Sequence, residues 1–370
     1  MSTQVSVIHL ETGKHLYGGA LQVAYLIKGL LEVAPSIKNL LVIPNDSHLK
    51  TVVRGVETIE LSLSGELDPR PLFTLLRILK GYRERGQKTI LHIHSRRGAD
   101  LWGPIAAIFS KTPYVITRRV DNPEPHSIQR LKYKRASKVV AISSAIYEML
   151  TSYGVKRHQL ALVPSAVDTD TFRPGGDLEW FQREFEIQHG TRPIGMVAQF
   201  IPRKGHRYLV EAIPEVLARE PKARFLFFGK GPLRDQVIQQ VEAMGLGWAC
   251  RFPGFRQDMP RIMPCLECLV HPALMEGLGV AVLQAMACKV LVVATDRGGL
   301  KDLIRHEETA LRLPGSDLTQ EISSSLHRVL DTTKNGLFEK VKDRAYRMVT
   351  TRFSCRGMAM AYKKIYDEVS

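Results

Sequence analysis

Residues 268–294, CLVHPALMEGLGVAVLQAMACKVLVVA, decide how the rest of the chain is read. The segment opens on the short apolar run 268–271 and closes on the β-branched run 290–294, both of the kind that form buried strands. Between them Gly277 and Gly279 punctuate a turn, and from Val280 the apolar residues follow helical spacing through Gln284, Ala285 and Met286. A strand, a glycine-bearing turn, a helix and another strand make a βαβ unit, whose crossover joins parallel strands.

The same alternation extends in both directions. Strand-like runs recur at 5–10, 40–43, 89–93, 114–117, 139–142 and 160–163, separated by amphipathic stretches at 20–31, 70–82, 98–109 and 144–152. The pattern breaks at 164–176, PSAVDTDTFRPGG, and restarts with strand-like runs at 193–198, 224–228, 268–271, 290–294 and 310–313. This predicts an α/β protein of two Rossmann-like parallel-sheet domains, 1–165 and 166–350, followed by a helical segment at 351–370. Such a chain is expected to carry its ligand in a central cleft that both domains face, beyond the carboxyl ends of the strands.

The length of 370 residues suits two domains, and 44% apolar with 24% charged residues is the mix of a soluble globular chain. No run approaches the roughly 18 apolar residues of a membrane span. Residues 1–10 read as a strand instead of a signal peptide, so a cytoplasmic location is expected. Lys and Arg number 52 against 37 Asp and Glu, with 23 against 12 in residues 1–165 and 29 against 25 in the remainder. The basic first half points to an anionic partner: a phosphorylated substrate, a lipid surface or nucleic acid. Five cysteines in no framework spacing suit reduced thiols, and the pair Cys265 and Cys268 reads as core packing. Asp168 and Asp170 form a D-x-D in the linker, where Asp serves turns, so no metal site is expected there.

Four loops stand where a strand hands over to a helix, placing backbone amides and a helix dipole together. Gly18-Gly19-Ala20 lets the backbone approach a phosphate or sugar. Ile201-Pro202-Arg203-Lys204-Gly205 puts two cations at a helix start, where the macrodipole favours an anion. Phe228-Gly229-Lys230-Gly231-Pro232 has Arg234 where a dinucleotide fingerprint needs its third glycine, which excludes that motif. In the loop of residues 271–280, Glu276 brings an acid to the glycine turn, and Glu is a poor helix cap beside Ser, Thr, Asp or Asn.

Together the segments EGLGVAVLQAMA, PRKGHRYLVEA, VPSAVDTDTFRP and the early GGA loop resemble glycosyltransferase family 4, retaining enzymes of the GT-B fold. The resemblance implies a metal-independent, cofactor-free hexosyltransferase using a nucleotide diphosphate sugar, with a last helix returning to the first domain. It implies that Glu276 meets the donor sugar and that Gln284, at the position of the family's second Glu, meets the ribose. Gln199 and Lys204 fall at the diphosphate clamp, with Arg203 beside them, and Arg119 falls at the position of a catalytic-loop His. Glu276, Lys204 and Arg119 are therefore the expected catalytic set. Gly18, Gly19, Gln199, Arg203, Leu278, Gly279, Val280 and Gln284 complete the expected donor contacts. The implied chemistry is front-face attack, in which the departing phosphate helps deprotonate the acceptor. Preorganised positive charge on that phosphate is the main requirement.

Arg96, Arg97, Arg118 and Arg119 follow strands in the first half, and four guanidiniums together call for an anion between them. They are the expected contacts of an anionic acceptor, an envelope glycan or glycolipid like a lipopolysaccharide core. His92 and His94 alternate on one strand, face the same side and read as packing or orienting residues. The basic stretch 129–138, QRLKYKRASK, is expected to form a helix that lies on the inner face of the cytoplasmic membrane. Nucleic acid is not the expected partner. The competing readings are a basic membrane or nucleic-acid binding module and a GT-B scaffold with weak or no catalysis.

Overall fold

The structure, a computed structural model, describes residues 5–16, 18–65, 68–94, 97–331, 333 and 335–370, without the side chains of Arg97 and Asn335. It forms two compact units, one running to Ala166 and including Ser354–Ser370, the other comprising Val167–Phe353. The division falls at the Pro- and Asp-rich linker, where the amide of Asp170 donates to Asp168 Oδ1 at 3.2 Å. The D-x-D is thus built into a turn.

In the first unit β1 (Val5–Leu10), β2 (Lys38–Pro44), β3 (Glu57–Leu61), β4 (Lys88–His94), β5 (Tyr114–Arg118), β6 (Lys138–Ala141) and β7 (Leu160–Leu162) form one parallel sheet. Its order is β3-β2-β1-β4-β5-β6-β7. Helices on both faces bury all of β5 and all of β1 beyond its first residue, which is why these strands read as near-continuous apolar runs. In the second unit β8 (Arg192–Val197), β9 (Ala223–Phe228), β10 (Cys250–Gly254), β11 (Cys268–His271), β12 (Leu291–Thr295) and β13 (Leu311–Leu313) are again parallel, in the order β10-β9-β8-β11-β12-β13. Each sheet reverses its winding once, between β1 and β4 and between β8 and β11. Loops diverge there and leave a crevice at the strand ends.

The edge strands β3 (ETIEL) and β10 (CRFPG) are absent from the sequence expectation. Each pairs on one side only, and neither carries the aliphatic run that marks a central strand.

The last helix, Cys355–Val369, packs on the helix Gly18–Val33 within the first unit. The contact needs Gly29, because a Cβ there would lie 2.5 Å from the carbonyl oxygen of Cys355 and 2.7 Å from Ala359 Cβ. Met358, Tyr362, Ile365 and Tyr366 thereby enter the core of the first unit. The five thiols are buried, and burial pushes that of Cys265 up to about 11, as suits packing residues.

Candidate active site

The site of the second unit is assembled by the loops after β8 and β11, at the reversal of its sheet. After β8 the chain enters a short turn, Pro202–Lys204, and ends it at Gly205 with φ 76°. Only glycine suits that backbone, and its missing Cβ would lie 2.3 Å from the carbonyl oxygen of Pro272. Close approach is sealed by the amide of Leu274 donating to the carbonyl of Arg203 at 2.8 Å. The two loops therefore behave as one surface, and Lys204 reaches Glu276.

Glu276 is gripped on both oxygens. Lys204 Nζ and His271 Nε2, the latter at 3.0 Å, donate to Oε2, and the amide of Gly277 donates to Oε1 at 3.1 Å. From the other side, the Gly299 amide donates to the Glu276 carbonyl at 2.8 Å. Burial alone would raise the carboxyl pKa, but the His271 hydrogen bond and the Lys204 charge outweigh it and hold the group well below the usual carboxylate range. Glu276 is a fixed anion at neutral pH. It does not cap the helix Val280–Ala287, which begins at Gly279 without a side-chain cap.

Of the other donor-side residues, Leu278 and Gln284 are buried, Gly279 turns at φ 93°, Arg203 and Val280 are half-buried and Gln199 is exposed. His271 has no assigned role in the sequence reading, although it lies five residues before Glu276 at the end of β11. His206 was also missed. It stacks on Phe200 at 4.2 Å, both ring nitrogens are buried without a protein partner, and burial pushes its pKa down to about 3.

In the first unit the two arginines whose side chains are described, Arg118 and Arg119, go different ways. Arg118 turns inward, where Nη1 donates to Glu124 Oε1 at 2.8 Å; Glu124 also accepts from Lys132 at 2.6 Å and from the Tyr133 hydroxyl at 2.6 Å. Lys132, fully buried, donates in addition to Asp100 at 2.8 Å. The carboxylates of Glu124 and Asp100 balance these cations without an external anion, so the repulsion argument fails for Arg118. Arg96 and the side chain of Arg97 lie outside the described residues. Arg119 is separate: Nη2 donates to His94 Nδ1 at 3.3 Å, and its Cδ passes 3.7 Å from where a Cβ of Gly19 would stand. Gly18 and Gly19 open the helix Gly18–Val33, so Arg119 lies beside that helix's first turn.

The stretch 129–138 is not one basic helix. Its helix ends at Tyr133, Lys132 faces the interior, and Lys138, already in β6, pairs with Glu368 at 2.7 Å. Among the described residues no helix is long and apolar enough to cross a membrane.

Two doubly wound parallel sheets, each with its winding reversed once, are the architecture of the GT-B fold. The family model Glycosyltransferase Family 4 matches residues 31–171, and Glycosyl transferases group 1 matches residues 191–332. The chain belongs to glycosyltransferase family 4 and is a glycosyltransferase. The 2-deoxystreptamine glucosyltransferase of Streptomyces kanamyceticus is 28% identical over 262 residues, 65% of this chain and 67% of that protein. A D-inositol 3-phosphate glycosyltransferase of Corynebacterium jeikeium is 26% identical over 62% of this chain and 57% of its own length. The fold is also that of Anabaena Alr3699/HepE, solved in complex with UDP and glucose, with a TM-score of 0.83, 17% identity, and coverage of 98% of this chain and 99% of that one.

Proposed function

We propose that the chain transfers a hexose-type sugar, with retention, from a nucleotide diphosphate sugar held by the second unit to an anionic glycan or glycolipid acceptor. The Lys204–Glu276–His271 constellation carries this reading. An ammonium has three donors, and Glu276 occupies one, so Lys204 can also engage a diphosphate. The nearby helix start adds backbone amides to the same anion. Glu276, held ionised, suits a hydrogen bond from sugar hydroxyls, and Gln284 can bind ribose through neutral hydrogen bonds about half as strong as charge-assisted ones. Front-face attack then asks the protein for positioning and charge stabilisation, which Lys204, Arg203 and the helix amides supply.

The donor of first choice is UDP-glucose, because the HepE structure holds UDP and glucose and the Streptomyces relative is named a glucosyltransferase. The anionic acceptor rests on the basic first half and on Arg119. The relatives' named acceptors differ in charge, an aminocyclitol in one and an inositol phosphate in the other. Contact with an anionic membrane is better supported by the helix Arg70–Glu84, which exposes Phe73, Arg77 and Lys80, than by the stretch 129–138. The experiment is a panel of UDP-, GDP- and ADP-sugars incubated without acceptor. Slow hydrolysis of one donor, lost in Glu276→Ala, is the expected result; no hydrolysis and no binding of any of them would contradict the reading.

A further inference from the structure

The first unit contains a buried chain of polar groups with a single direction. Asn39 sets it: its Nδ2 donates to the carbonyl of Ile37 at 3.2 Å, so Oδ1 faces His9 and accepts from Nε2 at 3.0 Å. A neutral His9 then carries its proton on Nε2 and accepts at Nδ1, which lies 3.1 Å from His94 Nε2. His94 must in turn carry its proton on Nε2, leaving Nδ1 to receive Arg119 Nη2 at 3.3 Å. Every link runs from the guanidinium toward the backbone carbonyl of Ile37, just before β2. Register makes this natural, because β1 and β4 are neighbours and pair His9 with His92, two residues before His94.

His92 stands against His94 from the side, its ring centroid 3.9 Å away. Tyr366 and Thr117 occupy its two nitrogens at 2.7 and 2.8 Å, and Thr117 is held in turn by Tyr362 at 2.7 Å. The two tyrosines come from the last helix, so its return completes the cluster. All three imidazoles are fully buried and burial keeps them neutral, the pKa of His9 falling to about 4. The rings also offer nitrogens within 4.8 Å of one another, a spacing open to a metal ion. A dication there would break hydrogen bonds on the rings and sit beside the positive charge of Arg119. The hydrogen-bond chain satisfies the same atoms at no such cost.

We propose that His94, backed by His9 and Asn39, is a positioning residue for Arg119, fixing the guanidinium so that its remaining N–H groups present positive charge to an anionic group of the substrates. The Arg119 Nε is buried without a protein partner among the described residues, and Nη2 holds the hydrogen bond to His94. Neutral imidazoles suit this task. They orient the guanidinium through one acceptor and add no negative charge of their own. The other groups facing it are Glu11, Tyr362 and Tyr366, which favour the charged form against the effect of burial.

The inference rests on Arg119 meeting substrate, so its test separates structure from activity. Nitrogen-15 NMR of the histidine side chains should show His9 and His94 neutral at neutral pH, both as the Nε2–H tautomer. The Arg119 Nη signals should be resolved by slow rotation in the wild type and averaged in His94→Leu, with His94→Gln, which keeps an acceptor, intermediate. In transfer assays His94→Leu should lower kcat about tenfold with donor affinity unchanged, and should add nothing in an Arg119→Lys background, as for groups acting in one network. A Nδ1–H tautomer on either ring, a charged imidazole at neutral pH, tight Zn²⁺ binding by the three rings, or additive losses in the double variant would each overturn the proposal. Averaged Arg119 signals in the wild type would overturn it even if transfer were never detected. Correct NMR signatures in a protein that hydrolyses and binds no donor would overturn the functional reading instead.

Discussion

The two sheets are wound alike, yet the cations at their reversals are held in opposite ways. In the second unit Lys204 is set against an ionised carboxylate that His271 also grips. In the first unit Arg119 is set against a neutral imidazole at the end of a directed chain. Its neighbour Arg118 provides the internal control, since it turns into the core and is balanced by Glu124. A cation hydrogen-bonded to a carboxylate is held by charge as well as by geometry, and its remaining N–H donors stay open to an anion. Arg119 is oriented by a neutral hydrogen-bond acceptor, with the Glu11 carboxylate as the opposite charge that faces it, so the two units fix their cations by different chemistry.

The sharpest way to break this contrast is to remove the internal balance. Glu124→Ala leaves Arg118 and Lys132 with only Asp100 between them and should destabilise the protein by about 3 to 5 kcal/mol in urea unfolding. Donor affinity should be unchanged at denaturant-free stability. A loss well under 1 kcal/mol would mean that Arg118 is free to serve substrate after all. The next largest effect belongs to the clamp. Glu276→Gln should lower kcat on the order of 10²- to 10³-fold, with donor affinity much less affected, because the carboxylate acts where charge develops. Equal losses in kcat and affinity would make Glu276 a ground-state contact only.

Acid should test the buried histidines of both units. The folded-state pKa of His9 lies near 4 and the unfolded value is 6.5, so the unfolded chain binds more protons between them. The stability held by the neutral ring is therefore complete above the unfolded value and is lost as the pH falls toward the folded one. For His9 alone this amounts to about 3 kcal/mol on full titration. His92, His94 and His206 act in the same direction. Melting temperature against pH should fall steeply on that limb, and His9→Gln should flatten it; an unchanged slope would mean the ring is already charged in the folded state. The smallest effect is expected at Gln284→Glu, where restoring a carboxylate should tighten nucleotide binding by about tenfold at most. Weaker binding would remove Gln284 from the ribose.

How much of this was legible follows from where the information lies. The central strands and the loop at Glu276 are local features, because both faces of a parallel sheet are covered and a glycine turn must precede the helix. β3 and β10 were invisible for the converse reason: Glu57 and Glu60, or Arg251 and Pro253, can sit in strands that pair on one side only. The reading of Arg118 as an acceptor contact failed because charges counted along residues 92–97 and 114–119 leave out their partners. Glu124, in the loop six residues beyond Arg118, and Asp100, on the helix Arg97–Ser110, bring the balance by folding. The alternation of His92 and His94 placed both on one side of their strand, as packing or orienting residues. Their partners were not readable, since His9, Asn39 and the two tyrosines converge from distant positions.

The central claim is that donor recognition belongs to the second unit and that Arg119 serves the acceptor. The most direct measurement is calorimetric titration of UDP, GDP and ADP into wild type, Lys204→Ala and Arg119→Ala. Loss of one desolvated cation from a diphosphate should weaken the preferred nucleotide in Lys204→Ala by about 2 to 4 kcal/mol, while Arg119→Ala binds it as the wild type does. Undiminished affinity in Lys204→Ala, or an equal loss in Arg119→Ala, would contradict the account.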